Sequence, residues 1–152
     1  MWPITRLMNS ATRMMALDVG DKRIGIAISD ELGISAQPLS TLERRSGFKA
    51  DLNEIARIVE EYKVSKVVIG VPINMDGSEG EQSAKAREFA ERLRRRIRIS
   101  VDTWDERLTT AQAERSLIAL DKSRAKRKEV VDQLAAALIL ENYMAAKGSG
   151  TA

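Results

Sequence analysis

Lys66 to Val71 reads KVVIGV, and after its first residue the run holds no polar side chain. It is too short for a buried helix and rich in β-branched residues, so it reads as a strand covered on both faces. Such a strand belongs in a parallel or mixed sheet with helices packed on each side. The flanking segments agree. DLNEIARIVEEY places apolar residues at 52, 55, 58, 59 and 62, a helical period. After the loop PINMDGSEGEQ, Ser78 and Glu81 have the spacing of a capping box for a helix reaching about Arg96. RISVDTW then reads as a further strand.

Upstream, Met14 to Val19 and Ile24 to Ser29 read as two strands joined by a turn at Gly20–Arg23, with a third strand near 35–42. Downstream, Thr109 with Gln112 would cap a helix over 110–120. DKSRAKRKE reads as a charged connector, and VVDQLAAALILENYM as a buried helix, apolar on nearly every side. The order βββαβαβαα predicts an α/β fold with a mixed five-stranded sheet flanked by helices. Strands one, four and five would run parallel, with their carboxyl ends on one edge, where open α/β sheets bind ligands. Asp18 ends the first strand, residues 70–78 follow the fourth, and Glu106 follows the fifth.

A chain of 152 residues, 43% of them hydrophobic, suffices for one core. We expect one domain over 14–146, a disordered extension at 1–13 and a disordered tail at 147–152. MWPITRLMNSATR lacks the apolar centre of a signal peptide and reads as an extension upstream of a natural start at Met14 or Met15, with a transit peptide as the weaker alternative. No apolar run approaches the length of a membrane span, and a cytoplasmic location is expected. The chain has no cysteine and no histidine. Disulfides, thiolate metal sites and imidazole catalysis are therefore excluded, and any metal must be held by oxygen.

Asp18, Glu106 and Asp132 are the carboxylates that the topology gathers. Each has a structural alternative. Asp18 equally suits a turn aspartate accepting amide hydrogen bonds around Gly20. Glu106 and Asp132 equally suit the first turn of a helix, where the dipole favours acids. Asp132, however, shares its helical face with Ala135, Ala136 and Ile139, which directs it toward the protein or an ion. Carboxylates held together without basic neighbours need a cation, and Mg²⁺ or Mn²⁺ suits oxygen ligands. Two such ions about 4 Å apart would activate water and stabilise a leaving oxygen in phosphoryl displacement. The basic residues cluster at Arg92–Arg98 and Lys122–Lys128, which suits either a polyanionic partner or a solvated surface.

LDVGDKRIGIAISD, VVIGVPINMDGSEGEQ, DERLTT and KEVVDQLAAALILENY together resemble the four signature blocks of the YqgF (RuvX) family, in order and spacing, over about 14–144. Members are candidate Holliday junction resolvases or candidate nucleases maturing the precursor of 16S ribosomal RNA. The resemblance implies an RNase H-like (RuvC-like) fold, and Asp18, Glu106 and Asp132 as catalytic metal ligands. It also lends weight to Gly20 and Gly25 for a tight turn and close backbone approach. Asn74, Asp76 and Gly77 would shape a loop beside the scissile phosphate, although MDG is also simply a turn. Arg107 would contact a phosphate, or form a surface ion pair worth under about 1 kcal/mol. Lys126 and Arg127, in the basic connector, would clamp nucleic acid together with the arginine-rich helix end, or remain solvated.

The expected activity is metal-dependent endonucleolytic cleavage of structured nucleic acid. An RNA precursor in ribosome biogenesis is favoured over a branched DNA junction. Ribosomal particles are expected partners, and the chain is expected to be a monomer or weak homodimer. Two rivals share part of this pattern. DVGDKRIGIAI also resembles the first phosphate motif of actin-like ATPases, which need two such domains. A non-catalytic nucleic-acid-binding module would use the same basic clusters, but not the acidic trio.

Overall fold

The structure, a computed structural model, describes residues 13–45, 47–108 and 124–151, with side chains described in 13–45, 47–107 and 130–147. The strands are β1 (Arg13–Val19), β2 (Arg23–Ser29), β3 (Ala36–Glu43), β4 (Val64–Val71) and β5 (Ser100–Asp105). The helices are α1 (Phe48–Glu61), α2 (Glu81–Arg96) and α3 (Arg124–Thr151), and a 3₁₀ turn spans Glu106–Leu108. The strand order is β3-β2-β1-β4-β5. β1–β2 and β2–β3 pair antiparallel, while β1–β4 and β4–β5 pair parallel. This is the mixed five-stranded sheet expected.

The two sheet faces are built from different sizes of side chain. Met15, Leu17, Ile24, Ile26, Ile28, Val67, Ile69 and Val71 pack with Ile55, Phe89 and Leu93 of α1 and α2. On the other face Ala16, Ala27 and Val68 meet Ala136, Ile139, Leu140 and Tyr143 of α3. Alternation of side chains along a strand makes this division possible. Small residues on the second face let α3 approach closely. At Gly25 the approach is closest: a Cβ there would lie 2.0 Å from the Asp132 carbonyl oxygen.

Three expectations about element ends need correction. Ser78 does not cap α2, which begins at Glu81 after Gly80 with no side-chain cap. Instead the Ser78 hydroxyl and amide N–H both donate to Asp76 Oδ1. A nearer acceptor within the loop outcompetes the helix terminus for Ser78. Second, the stretch around Lys126 and Arg127 is not a connector, because α3 already begins at Arg124. RAKRKE contains only good helix formers and neither glycine nor proline, so the helix propagates back through it. Third, α3 continues through Thr151, past the boundary at 146, the helical backbone propagating beyond its last buried residues, Tyr143 and Met144. Residues 1–12 of the expected extension, and the helix expected over 110–120, lie outside the described residues.

Candidate nucleic-acid cleavage site

The carboxyl ends of β1 and β4 and the third turn of α3, around Asp132, meet on the α3 side of the sheet. Asp18 lies one residue before the end of β1, paired with Gly25 of β2. Because Gly25 is the residue against which the Asp132 backbone rests, the first and third predicted acids flank one glycine. Glu106 follows β5 in the 3₁₀ turn, and its carboxylate lies over Gly70 of β4. A Cβ at Gly70 would stand 3.1 Å from Glu106 Oε2 and 2.6 Å from the Ile139 Cδ1 methyl. Two glycines, one in each of the strands beside β1, thus make room for the second and third acids. Gly25 was expected to serve close approach, and does. Gly70 was not singled out, although a glycine inside an apolar strand is itself a sign of close approach.

The turn that follows Asp18 is held from several directions. The Gly20 amide donates to the Arg23 carbonyl at 2.9 Å, closing the turn as expected for Gly20. Arg44 Nη1 donates to the Gly20 carbonyl at 2.8 Å, and its own amide to the Lys22 carbonyl. The Arg44 guanidinium pairs with buried Asp51 at 2.9 Å and lies against the rings of Phe48 and Phe89. Lys85 and Gln82 of α2 hydrogen-bond Asp21 from the other side. The Lys85 ammonium, then the Gln82 amide, hold the Asp21 carboxyl below its ordinary value. Arg44 was invisible from the sequence because its partners come from separate elements.

The 72–80 loop forms the rim. The Gly77 amide donates to the Asn74 carbonyl at 2.8 Å, and Gly77 takes a positive φ of 91°. That conformation explains glycine there. The Asn74 side-chain amide donates to the Ser78 hydroxyl at 2.9 Å, so this group closes the loop. Asp76 is held below the ordinary carboxylate range by the Ser78 hydroxyl and amide. The Arg107 guanidinium reaches this rim: its Nη1 would lie 3.7 Å from a Cβ on Gly77. Asp105 holds Arg107 by side-chain hydrogen bonds at 2.8–3.2 Å, which also depress the Asp105 carboxyl. Arg107 therefore makes the surface ion pair and faces the predicted loop at the same time.

Asp132 accepts a hydrogen bond from Arg23 Nε at 3.0 Å, with both side chains about three-quarters covered. The acidic site therefore has a basic residue in it, contrary to expectation. The pair bridges residues 109 apart, which hides it from any local pattern. As donors, the three acids would suit a hard divalent cation, since each offers only carboxylate oxygens. Among the described residues, however, no three acids lie close enough together to hold an ion. Asp132 is engaged by a guanidinium instead.

Two further placements bear on nucleic-acid contact. Lys126 and Arg127 lie on the first turn of α3, about one and a half turns before Asp132; their side chains are outside the described residues. The arginine-rich end of α2 does not join the site. β4 and β5 are parallel, so α2 must carry the chain back to where they begin. Ser100 there pairs with Lys66, whereas Asp105 pairs with Val71 at the acidic end. At that far end Arg92 pairs with Glu88, Arg94 with Glu91, and Arg96 with Asn53. Among the described residues, no helix is long and apolar enough to cross a membrane.

A model of the RuvX family, described as Holliday junction resolvase, matches residues 12–146. A protein of Heliobacterium modesticaldum is 52% identical over 135 residues, covering 89% of this chain and 90% of that protein. One of Caldanaerobacter subterraneus is 53% identical over 133 residues, covering 87% and 95%. Both bear the name "Putative pre-16S rRNA nuclease". RuvC of T. thermophilus in complex with Holliday junction substrate superposes with a TM-score of 0.59 at 13% identity, covering 93% of this chain and 98% of that one. A second Thermus thermophilus RuvC structure gives 0.55. At such identity these structures establish the fold, which is RuvC-like and so RNase H-like.

Proposed function

We propose that this chain, which belongs to the RuvX family, is a divalent-metal-dependent endonuclease that trims the precursor of 16S ribosomal RNA in the cytoplasm. What supports this is the placement of three acids toward one end of the sheet: Asp18 pairs with Gly25, the Asp132 backbone rests on Gly25, and the Glu106 carboxylate lies over Gly70. The names of the relatives at about half identity favour RNA over branched DNA. Ribosomal particles are the proposed partners, with the chain acting as a monomer or weak dimer and its nuclease unit over 14–146.

Asp18, Glu106 and Asp132 would hold Mg²⁺ or Mn²⁺. Once bound, such an ion supplies Lewis-acid activation of water and neutralises charge gathering on the phosphate. The protein's own share is positioning. The clamped Gly20–Lys22 turn fixes Asp18, and Gly25 fixes the height of Asp132 above the sheet. Arg107, aimed by Asp105 toward the Asn74–Ser78 loop, presents a guanidinium whose fork matches phosphate oxygens. Lys126 and Arg127 would extend the basic surface along the backbone, and Asn74 would shape the rim where the strand enters.

The test is cleavage of a labelled 16S precursor and of a four-way DNA junction with Mn²⁺, beside Asp18→Asn. Cutting of the precursor alone, reduced at least 100-fold in the variant, is the expected result. Junction cutting alone would move the substrate to DNA. Salt-sensitive binding without cutting of either substrate would leave a non-catalytic RNA-binding protein.

A further inference from the structure

We propose that Arg23 is the internal counter-ion of Asp132 and exchanges it for a backbone phosphate when the divalent cation binds. This rests on the metal-dependent reading above and adds to it the order in which charges meet at the site.

Arg23 opens β2, and its carbonyl accepts the Gly20 amide that closes the turn after Asp18. Its place relative to Asp18 is therefore set by the backbone. Its Nε donates to Asp132 Oδ2 at 3.0 Å, and about a quarter of each side chain remains exposed. The Asp132 backbone cannot advance toward the sheet, because it rests directly on Gly25. Rotation of the side chain is enough to change the partner of its carboxylate. With no three acids assembled among the described residues, the carboxylate given to Arg23 is one that a cation site would need.

A divalent cation and a guanidinium drawn to one carboxylate a few ångströms apart repel each other, and partial burial weakens the screening. Loading the cation thus displaces Arg23. The freed guanidinium lies at the solvent edge beside the acids, with donors in the planar fork that pairs bidentately with phosphate. Paired as it is here, the same residue neutralises Asp132, which limits repulsion among the carboxylates. Metal and nucleic acid then assist one another through one residue, and linkage requires the assistance to be equal in both directions.

Free Mn²⁺ measured by electron paramagnetic resonance during titration of the full chain tests the exchange. Wild type, Arg23→Gln, Arg23→Lys and Asp18→Asn are compared, each first checked for a folded thermal transition. Arg23→Gln is expected to bind Mn²⁺ about fivefold more tightly than wild type, and Arg23→Lys, which keeps the competing charge, within about twofold of it. With Ca²⁺ in place of Mn²⁺ and a phosphorothioate RNA, Arg23→Gln should bind the RNA about fivefold more weakly. Equal or weaker Mn²⁺ binding by Arg23→Gln, while wild type binds and Asp18→Asn does not, overturns the exchange and leaves the nuclease reading standing. Mn²⁺ left free by wild type and every variant removes the metal-dependent reading and the exchange with it. If Arg23→Gln does not fold, Arg23→Met, which keeps the apolar stem, takes its place under the same criteria.

Discussion

At the scale of single residues, the site depends on what is absent from two positions. Gly25 and Gly70 both lack a Cβ where another element presses on them, but the pressing atoms differ. At Gly25 the obstacle is the backbone of α3, 2.0 Å from the missing carbon, and backbone cannot step aside alone. At Gly70 it is the tip of Ile139 and the Glu106 carboxylate, both able to rotate. Gly25→Ala must therefore lift α3 and carry Asp132 away from Asp18. We expect it to lose about 3 kcal/mol of stability, as overpacking at the upper end does, and over 100-fold in cleavage rate. Gly70→Ala should cost about 1 kcal/mol and change mainly the rate, through Glu106. Urea unfolding and single-turnover cleavage of both variants measure the contrast. Equal losses of stability would mean that α3 is not the rigid partner. Asp18 was legible in the sequence because a carboxylate ending an apolar strand is expensive without a partner. Arg23 was not, because only the fold brings it to Asp132.

At the scale of elements, α3 both completes the core and supplies an acid, and its far half is anchored by a polar chain. Tyr143, almost fully buried, donates to Asp102 of β5 at 2.7 Å and accepts from Lys66 Nζ at 3.1 Å. Its ring meets Trp104 edge-on at 5.7 Å. Burial first, then the Asp102 hydrogen bond, raises the Tyr143 hydroxyl well above its ordinary value. The folded chain therefore keeps a proton that the unfolded chain releases near pH 10. Tyr143 contributes its full stability below that pH and loses it progressively above. Wild type should exceed Tyr143→Phe in melting temperature by a constant margin from pH 7 to 9, and the margin should shrink above about pH 10. A margin that widens with alkali would contradict the burial of this hydroxyl. Element order was readable from hydrophobic period alone, since KVVIGV and the 52–62 pattern admit few alternatives. Element ends were not. Ser78 had a closer acceptor in Asp76, and the charged run from Arg124 joined a helix whose stability comes from the packed turns beyond it.

At the scale of the whole molecule, the sheet has two ends, and charge divides between them in a way that composition conceals. A net charge of +3 and two basic clusters suited either a polyanionic partner or a solvated surface, with nothing to say which cluster lies beside the acids. Parallel pairing of β4 and β5 instead sends the end of α2 to the opposite edge, five residues of strand away, roughly 17 Å at about 3.3 Å per residue. Connectivity, not composition, decides which cluster meets the substrate. Arg107 stands at the acidic end, beside Gly77; Arg95 and Arg98 belong to the other. On a short RNA hairpin that reaches only the acidic end, Arg107→Ala should weaken binding about tenfold and lower the slope of log affinity against log salt by about one contact. The double variant Arg95→Ala, Arg98→Ala should leave binding and cleavage of that hairpin within about twofold of wild type. Fluorescence anisotropy across a salt series compares them directly. If the double variant loses as much as Arg107→Ala, the RNA must wrap the sheet from end to end, and the far arginines become part of the substrate surface.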